Sequence, residues 1–234
     1  MTEALAYADS QPNLEESLLD FAAGRRWSTL YADPPWQFAN KTGKVGPEHR
    51  RLFRYETMTN EGIMALPVAE VVTAPSHLYL WVPTALIPTG IATMESWGFR
   101  YISALYWHKL RKDGCSDGRG VGFYFRNVVE PCLFGVRGNM RTLAPGRSQV
   151  NYLGTRKREH SRKPDEFYSI FIERCSPGPY LELFARGPAR AGWDAWGNQA
   201  GLPLANGHPM YRGEPAQPRL LAERRAPIPA TATE

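Results

Sequence analysis

Short apolar runs alternate along the chain with segments whose apolar positions recur every three or four residues. The short runs predict β-strands, which lie at residues 28–32, 76–82, 101–109, 131–136 and 179–186. The periodic segments predict helices, which lie at residues 13–21, 87–99 and 163–175, with a further short helix capped by Thr59 or Asn60. This alternation predicts an α/β domain with a largely parallel sheet, covered by helices on both faces. In such a sheet, ligands bind at the carboxyl ends of the strands.

The length of 234 residues suits one domain with a buried core. Residues 1–24 are interpreted as a helical lead-in, residues 25–200 as the domain itself and residues 201–234 as a tail. The tail is rich in proline and has no sustained periodicity. We therefore expect it to be flexible beyond about residue 205.

The composition is that of an ordinary globular protein, with 43% hydrophobic residues. No apolar run approaches the roughly 18 residues that a membrane span needs, so no span is expected. The N-terminus is acidic and lacks the order of a secretory signal, which favours a cytoplasmic location. Cys115, Cys132 and Cys175 fit neither a disulfide framework nor a CxxC metal site, and no bound metal is predicted.

Positive charge is concentrated in the middle of the chain. Between Arg100 and Lys163 there are 14 lysines or arginines against four acids, whereas the net charge of the whole chain is only +5. Such a segment would hold phosphates near it. A solvated basic face explains the count equally well, so charge alone leaves the nucleic-acid partner open.

The stretch Asp33-Pro34-Pro35-Trp36 directly follows the first predicted strand. From composition alone, it is a strand terminator with a buried tryptophan. It also suits methylation of an aromatic amine, a poor nucleophile whose two hydrogens must be held by acceptors. A carboxylate can accept one, and the carbonyl between the prolines can accept the other because no neighbouring amide competes for it. The adjacent aromatic ring offers a stacking face for a base.

This motif and those downstream resemble, in order and spacing, the MT-A family of adenine N(6)-methyltransferases. The family includes the catalytic subunit of the eukaryotic messenger-RNA adenosine methyltransferase and many bacterial and phage homologues. The resemblance covers residues 27–199 and runs through YETMTNEGIMALPV, HLYLWVPTALIPTGIATMESWGFRYISALYWHK, GVGFYFRNVVEPCLFGVRG, REHSRKPDEFYSIFIERC, ELFAR and GWDAWGNQ.

A single Rossmann-like methyltransferase domain is the fold that this resemblance implies. The catalytic segment comes first and the ELFAR strand comes late, which resembles a circularly permuted sheet. No GxGxxG follows a predicted strand, so a dinucleotide site has little support. The implied cofactor is S-adenosylmethionine, bound without that glycine-rich loop.

The resemblance also implies roles for individual residues. Asp33 would accept from the target amino group and lie near the methionine end of the cofactor, Pro34 would offer its carbonyl, and Trp36 would stack against the adenine or shape its pocket. Lys163 would pair with the carboxylate of the cofactor or with the incoming base. The implied catalytic set is Asp33, Pro34, Pro35 and Trp36, and the implied cofactor contacts are Asp33, Lys163, Phe184, Arg186, Asn198 and Gln199.

Contacts to the nucleic acid are implied at several further positions. Asn127 and Glu130 match polar positions that face the pocket of the family, although a satisfied structural pair explains them equally well. Basic side chains of three predicted loops would hold phosphates; the loops span residues 37–56, 110–122 and 142–163. The predicted substrate contacts are Trp36, Asn127, Glu130, Arg156, Lys157, Arg158, His160 and Lys163, whereas Trp193 and Trp196 are expected in the core.

We therefore expect an S-adenosylmethionine-dependent methyltransferase that acts on the exocyclic amino group of adenine in nucleic acid. DNA is favoured over RNA as the substrate, because a compact chain without an appended recognition domain resembles the bacterial and phage members. The alternatives are an RNA adenine methyltransferase and a catalytically silent nucleic-acid-binding subunit; the intact Asp33-Pro34-Pro35-Trp36 favours activity. The chain is expected to act as a monomer or homodimer, and a heterodimer remains open.

Overall fold

The structure is a computed structural model that describes residues 14–37, 57–116, 124–156 and 162–202. Its strands are β1 (Trp27–Ala32), β2 (Val72–Trp81), β3 (Arg100–Leu110), β4 (Val129–Arg137), β5 (Tyr152–Arg156), β6 (Tyr180–Leu183), β7 (Arg186–Gly187), β8 (Trp193–Trp196) and β9 (Gln199–Ala200). Its helices are α1 (Leu14–Ala22), α2 (Asn60–Ala65), α3 (Ile87–Ser96) and α4 (Glu173–Cys175), and a π-helical segment, Tyr168–Ile172, directly precedes α4.

Seven of these strands form one sheet in the order β5-β3-β4-β2-β1-β6-β8, and β7 pairs with β9. β1 runs parallel to β2 and β6, β3 to β5, and β6 to β8. Only β4 is antiparallel to its neighbours in this sheet, β2 and β3. The predicted largely parallel α/β sheet is confirmed. Because β4 is reversed, its first residues lie at the edge where the parallel strands end.

Side chains of the sheet alternate between two apolar clusters, one on each face. In β1, Leu30 and Ala32 belong to one cluster and Tyr31 to the other. The first cluster also contains buried side chains of α1, α2 and α3, namely Leu18, Ile63 and Met94. The second contains buried side chains in and beside the π-helical segment, namely Phe167, Phe171 and Ile172. Helical elements therefore cover both faces, as predicted.

Two helix ends are explained by the residues at them. α2 is capped by Thr59, whose Oγ1 accepts a hydrogen bond from the Gly62 N–H at 3.1 Å. α3 ends shortly before Gly98, whose φ of +80° lies in the left-handed region that glycine adopts without strain.

Three boundaries differ from the prediction. The predicted loop 142–163 contains β5, an edge strand in which only Leu153 is buried, so its sequence carries little periodic signal. The predicted helix 163–175 begins only at residue 166, takes the π-helical form from Tyr168 to Ile172 and returns to the α-helical form in its last three residues. The predicted strand 179–186 ends at Leu183, because Phe184 has a φ of +62°, which is incompatible with an extended strand.

The N-terminal helix agrees with the predicted span 13–21, and Leu18 is buried in the same cluster as β1. Trp193 and Trp196 are buried as expected, although the strand that they form, β8, was not predicted. Most of the predicted tail, residues 203–234, lies outside the described residues. Within the part of the chain that the structure describes, no helix is long and apolar enough to cross a membrane.

Candidate active site

The segment Asp33-Pro34-Pro35-Trp36 leaves β1 at the carboxyl edge of the sheet. Neither proline has an amide hydrogen, so the strand ladder cannot continue and the chain turns. The Pro35 carbonyl accepts a hydrogen bond from the Met58 N–H at 3.0 Å, and Trp36 forms a β-bridge with Met58. These contacts hold the turn between β1 and the residues that precede α2.

The Pro34 carbonyl already has one donor. The Trp36 N–H donates to it at 2.9 Å, so the prediction that no amide competes for this oxygen is wrong. The fixed φ of Pro35 suits the centre of such a three-residue turn, in which residue i accepts from residue i+2. A carbonyl oxygen has two lone pairs, and one remains available to a substrate hydrogen.

The Trp36 side chain is buried. It is only 5% exposed and belongs to the apolar cluster beneath the turn. Its Nε1–H donates to the Trp81 carbonyl at 2.8 Å, which ties the turn to the end of β2. These contacts make Trp36 a support of the turn; its expected role in stacking against the adenine or shaping its pocket stays a prediction, and its burial favours the second.

The Asp33 carboxylate is held by a lysine that is distant in sequence. Lys163 Nζ lies 2.9 Å from Asp33 Oδ1 and 2.8 Å from Oδ2, and also 3.1 Å from Glu130 Oε1. These three oxygens match the three hydrogens of the ammonium group. The Lys163 side chain is only 9% exposed. Lys163 was expected to face the cofactor or the base, but in the structure it holds the catalytic candidate Asp33.

Glu130 reaches this cluster because β4 runs antiparallel to its neighbours. It lies at the start of β4, opposite Trp107 near the end of β3. While Glu130 Oε1 contacts Lys163, Glu130 Oε2 contacts Lys109 Nζ at 2.6 Å. Asp33, Lys163, Glu130 and Lys109 thus form a continuous chain of alternating charges, which we call the charged cluster.

Electrostatics keep Glu130 and Lys163 ionised. Burial on its own would raise the pKa of Glu130, but Lys163 and Lys109 lower it to about 2. Burial would lower the pKa of Lys163, but Asp33 and Glu130 raise it well above its ordinary value. At neutral pH the lysine therefore remains a cation and cannot act as a base.

Sequence reasoning assigned no role to Glu182, which lies in the middle of β6 and pairs with Tyr31 of β1. The Tyr168 hydroxyl donates to its Oε2 at 3.1 Å. Burial raises the pKa of Glu182 to about 7, and the nearby charge of Asp33 adds to the effect. A signal was available, because a glutamate inside the apolar strand sequence YLEL is unusual unless its side chain has a function or a partner.

The predicted cofactor residues lie next to the motif. Ala32 of β1 pairs with Leu183 of β6, so Asp33 and Phe184 leave adjacent strands at the same level. Phe184 packs edge-on against Trp196 at 5.9 Å, and Arg186 pairs with Gln199 through β7 and β9. Phe184 is partly buried, whereas the other predicted residues of this corner are exposed, namely Arg186, Asn198 and Gln199.

The predicted substrate residues are only partly brought together. Glu130 belongs to the charged cluster, and Asn127 is exposed three residues before it. Arg156 is exposed at the end of β5, on the strand beside β3. The predicted contacts Lys157, Arg158 and His160 lie outside the described residues, as do residues 38–56 of the predicted loop 37–56.

The corner that combines Asp33 with the end of β6 suits S-adenosylmethionine. Asp33 and Glu182 supply carboxyl groups for a cationic ligand, and their charges interact. The exposed amides of Asn198 and Gln199 suit ribose hydroxyls and the edge of an adenine ring. Among the described residues there is no group of three or more His, Cys, Asp or Glu side chains that could hold a metal ion.

Comparison with known proteins matches residues 27–199 to the MT-A70 family. An Arabidopsis thaliana protein named N(6)-adenosine-methyltransferase MT-A70-like is 30% identical over 213 residues, which are 89% of this chain and 29% of the relative. The human N(6)-adenosine-methyltransferase catalytic subunit METTL3 is 30% identical over 185 residues, 77% of this chain and 29% of the relative.

A further relative carries a different description. The Xenopus tropicalis N(6)-adenosine-methyltransferase non-catalytic subunit METTL14 is 25% identical over 146 residues, which are 58% of this chain and 32% of the relative. The chain spans about a third of the length of these curated relatives.

Proposed function

The chain belongs to the MT-A70 family, and from this premise we propose that it transfers a methyl group from S-adenosylmethionine to the exocyclic amino group of adenine in nucleic acid. The observation that carries the proposal is the turn after β1. There, two consecutive residues, Asp33 and Pro34, supply a carboxylate and a carbonyl oxygen at the carboxyl edge of the sheet, beside the end of β6. Two acceptors in such an arrangement match the two hydrogens of an amino group.

Holding the amino group is the main task of these residues, because the lone pair of the nitrogen is delocalised into the ring. An Asp33 oxygen accepts one hydrogen, and the remaining lone pair of the Pro34 carbonyl accepts the other. Lys163 contacts both Asp33 oxygens and so fixes the plane of the carboxylate. Each of these oxygens still has a lone pair for the substrate.

Methyl transfer requires the nitrogen to lose one proton. When bound, S-adenosylmethionine supplies a methyl group on a sulfonium, so that a carbon–nitrogen bond forms as a carbon–sulfur bond breaks. Asp33 then takes the proton from the amino group and passes it to solvent, to which its side chain is 27% exposed. Lys163 keeps its own proton, since its neighbours raise its pKa.

The proposed substrate is a polynucleotide, because the basic stretch around the site suits phosphates. Within that stretch, exposed arginines are available for such contacts, namely Arg126, Arg141, Arg147 and Arg156. The expected preference for DNA rests on the compact size of the chain and gains no support from the relatives, whose names specify adenosine. The proposal therefore covers both polymers.

A catalytically silent nucleic-acid-binding subunit is the second candidate, and the similarity to METTL14 favours it. The active enzyme is preferred because the acceptor turn is intact and Asp33 is held by Lys163. A silent subunit has no need of an acceptor pair held in this way.

A labelled-methyl assay tests the proposal on single-stranded and double-stranded DNA and RNA oligonucleotides in parallel. We expect label in at least one polymer, and a loss of at least about 100-fold in Asp33→Asn, since a misplaced or missing catalytic group costs that much. Asp165→Asn is the matched control, because Asp165 lies two residues after Lys163 in the chain, pairs with Arg162 at 2.8 Å and lies outside the charged cluster.

Two outcomes would contradict the proposed enzyme. The absence of label from every polymer, together with no binding of S-adenosylmethionine by calorimetry, supports the silent subunit. Equal activity in Asp33→Asn and Asp165→Asn shows that the turn after β1 does not hold the reacting group.

A further inference from the structure

Lys109, at the carboxyl end of β3, received no role from its position in the sequence. We propose that Lys109 is a positioning residue for methyl transfer, which acts through Glu130 on Lys163 and thereby on Asp33. This inference rests on the proposed function. Lys109 contacts Glu130 at one end of the charged cluster, and Asp33 lies at the other end, in contact with Lys163.

The two oxygens of Glu130 are divided between two lysines. Oε2 lies 2.6 Å from Lys109 Nζ, and Oε1 lies 3.1 Å from Lys163 Nζ. The backbone adds a restraint, because the Lys109 N–H donates to the Val128 carbonyl at 2.9 Å, beside the start of β4. Contacts from β3 therefore fix the position of Glu130, whose other oxygen contacts Lys163.

Lys163 faces a competition between two carboxylates. It makes its shorter contacts, of 2.8 and 2.9 Å, with Asp33 and the longer one with Glu130. Lys109 neutralises part of the charge of Glu130 and so weakens its pull on Lys163. Without Lys109, Glu130 would attract Lys163 more strongly, and the ammonium would shift away from Asp33.

Aromatic rings hold both ammonium groups at fixed positions. Lys109 Nζ lies 4.9 Å from the ring centroid of Trp107, and Lys163 Nζ lies 5.1 Å from that of Trp81. The two rings are buried and meet edge-on at 6.3 Å. The Lys109 side chain thus contacts Trp107 and Glu130 within the protein, whereas a lysine that binds phosphates extends into solvent.

Among the described residues, the negative charge of Glu130 is balanced by these two lysines. The groups whose charges act on it are Lys163 and Lys109. The buried thiol of Cys132 lies outside the charged cluster but interacts with Lys163, Asp33 and Glu130. Burial raises the pKa of that thiol, so it stays neutral at ordinary pH. The ionised state of Glu130 therefore depends on the two lysines.

A competing explanation is that Lys109 only adds positive charge for the nucleic acid. Lys112, exposed three residues further along the chain, provides the matched control. Lys112→Met removes the same charge from the same region without touching Glu130. A role in binding alone predicts that both variants raise the KM for nucleic acid and leave the saturated rate unchanged.

Steady-state assays of Lys109→Met, Lys109→Arg and Lys112→Met separate these explanations. We expect Lys109→Met to lower kcat by roughly tenfold, since a displacement of Asp33 well below 1 Å is enough for such a loss. Its KM for S-adenosylmethionine should change less than about threefold, and Lys109→Arg should recover most of kcat because it keeps the charge. A wild-type kcat in Lys109→Met would overturn the proposal.

A second measurement does not require activity and so separates failure of this inference from failure of the proposed function. The pKa of Glu130 is lowered to about 2 in the folded protein, below its unfolded value, so the stability it contributes is present above about pH 4.5 and lost as the pH falls. We expect the difference in Tm between wild type and Lys109→Met to be largest near pH 6 and to narrow towards pH 3.5. A difference that is independent of pH, as expected for Lys112→Met, would show that Lys109 does not act on Glu130.

Discussion

Two polar networks contact β2 and differ in charge and in burial. At the end of the strand, Trp81 lies under Lys163 of the charged cluster, whose side chains are between 9% and 27% exposed. Four residues earlier, His77 is fully buried and joins Ser176 and Tyr79 in a network without a formal charge. We call this second group the neutral chain.

The hydrogen bonds of the neutral chain determine where its protons lie. His77 Nε2 faces the Met140 carbonyl at 3.3 Å and must donate to it, so His77 Nδ1 is left as an acceptor. The Ser176 hydroxyl then donates to Nδ1 at 2.7 Å, and its oxygen lies 2.7 Å from the Tyr79 hydroxyl, which also has the Phe171 carbonyl as an acceptor at 3.2 Å. A protonated His77 would break this arrangement, because its Nδ1 could no longer accept from Ser176.

The contrast separates a structural network from one that is open to a substrate. The neutral chain has no exposed atom through which a ligand could act, and its burial lowers the pKa of His77 so that the ring stays uncharged. The charged cluster keeps part of each carboxylate open to solvent. We therefore expect changes in the charged cluster to affect activity most, and changes in the neutral chain to affect stability alone.

The largest effect is expected from Lys163→Met. The change leaves the carboxylates of Asp33 and Glu130 without their shared cation, which should lower activity by at least about 100-fold and stability by roughly 2–4 kcal/mol, because the two carboxylates remain partly solvated. Methyl-transfer assays and denaturant unfolding measure the two losses. Full activity in this variant would contradict the assignment of the charged cluster to activity and of the neutral chain to stability alone.

An intermediate effect is expected from Ser176→Ala in the neutral chain. It removes the donor to His77 and the acceptor of Tyr79, and should cost about 1–3 kcal/mol of unfolding free energy. The exposed Ser169→Ala is the control and should change stability by less than about 0.5 kcal/mol. At a temperature where both variants are folded, their specific activities should match that of the wild type. A selective loss of activity in Ser176→Ala would assign the neutral chain to the active site.

The smallest effect is a pair of opposite pH dependences. The pKa of His77 is lowered by folding, so its contribution to stability is lost as the pH falls below about 6.5. The pKa of Glu182 is raised by folding to about 7, so its contribution grows as the pH falls from 7 towards 4.5. Relative to wild type, Glu182→Gln should lose stability more steeply on acidification and His77→Gln less steeply, as measured by Tm between pH 7.5 and 5. Parallel curves for the two variants would contradict this assignment.

Sequence reasoning identified the parts of the site that are contiguous or carry a strong motif. It placed Asp33 at a strand end, because two prolines after an apolar run stop a ladder, and it selected Lys163. It did not foresee the contact between them, nor the role of Glu130 as a bridge to Lys109. That bridge depends on the reversed direction of β4, and no local pattern in a strand reveals the direction in which it pairs.

The fold was predictable where periodicity was strong. β1 and the Thr59 cap follow from local signals, whereas β5 is a short edge strand with one buried residue and gives almost no pattern. The donor to the Pro34 carbonyl was missed for another reason. The amide of Trp36 lies only two residues further along the chain, but the turn geometry is needed to bring it within 2.9 Å of that carbonyl.

The most direct test of the account is to identify the methylated atom after incubation with S-adenosylmethionine. Oligonucleotides digested to nucleosides and resolved by mass spectrometry should contain adenine methylated on its exocyclic nitrogen with the wild-type protein, and none above background with Asp33→Asn. Methylation of a ring nitrogen or of another base, or an unmethylated product from a protein that binds S-adenosylmethionine and nucleic acid, would contradict the central claim that the turn after β1 holds the amino group of adenine.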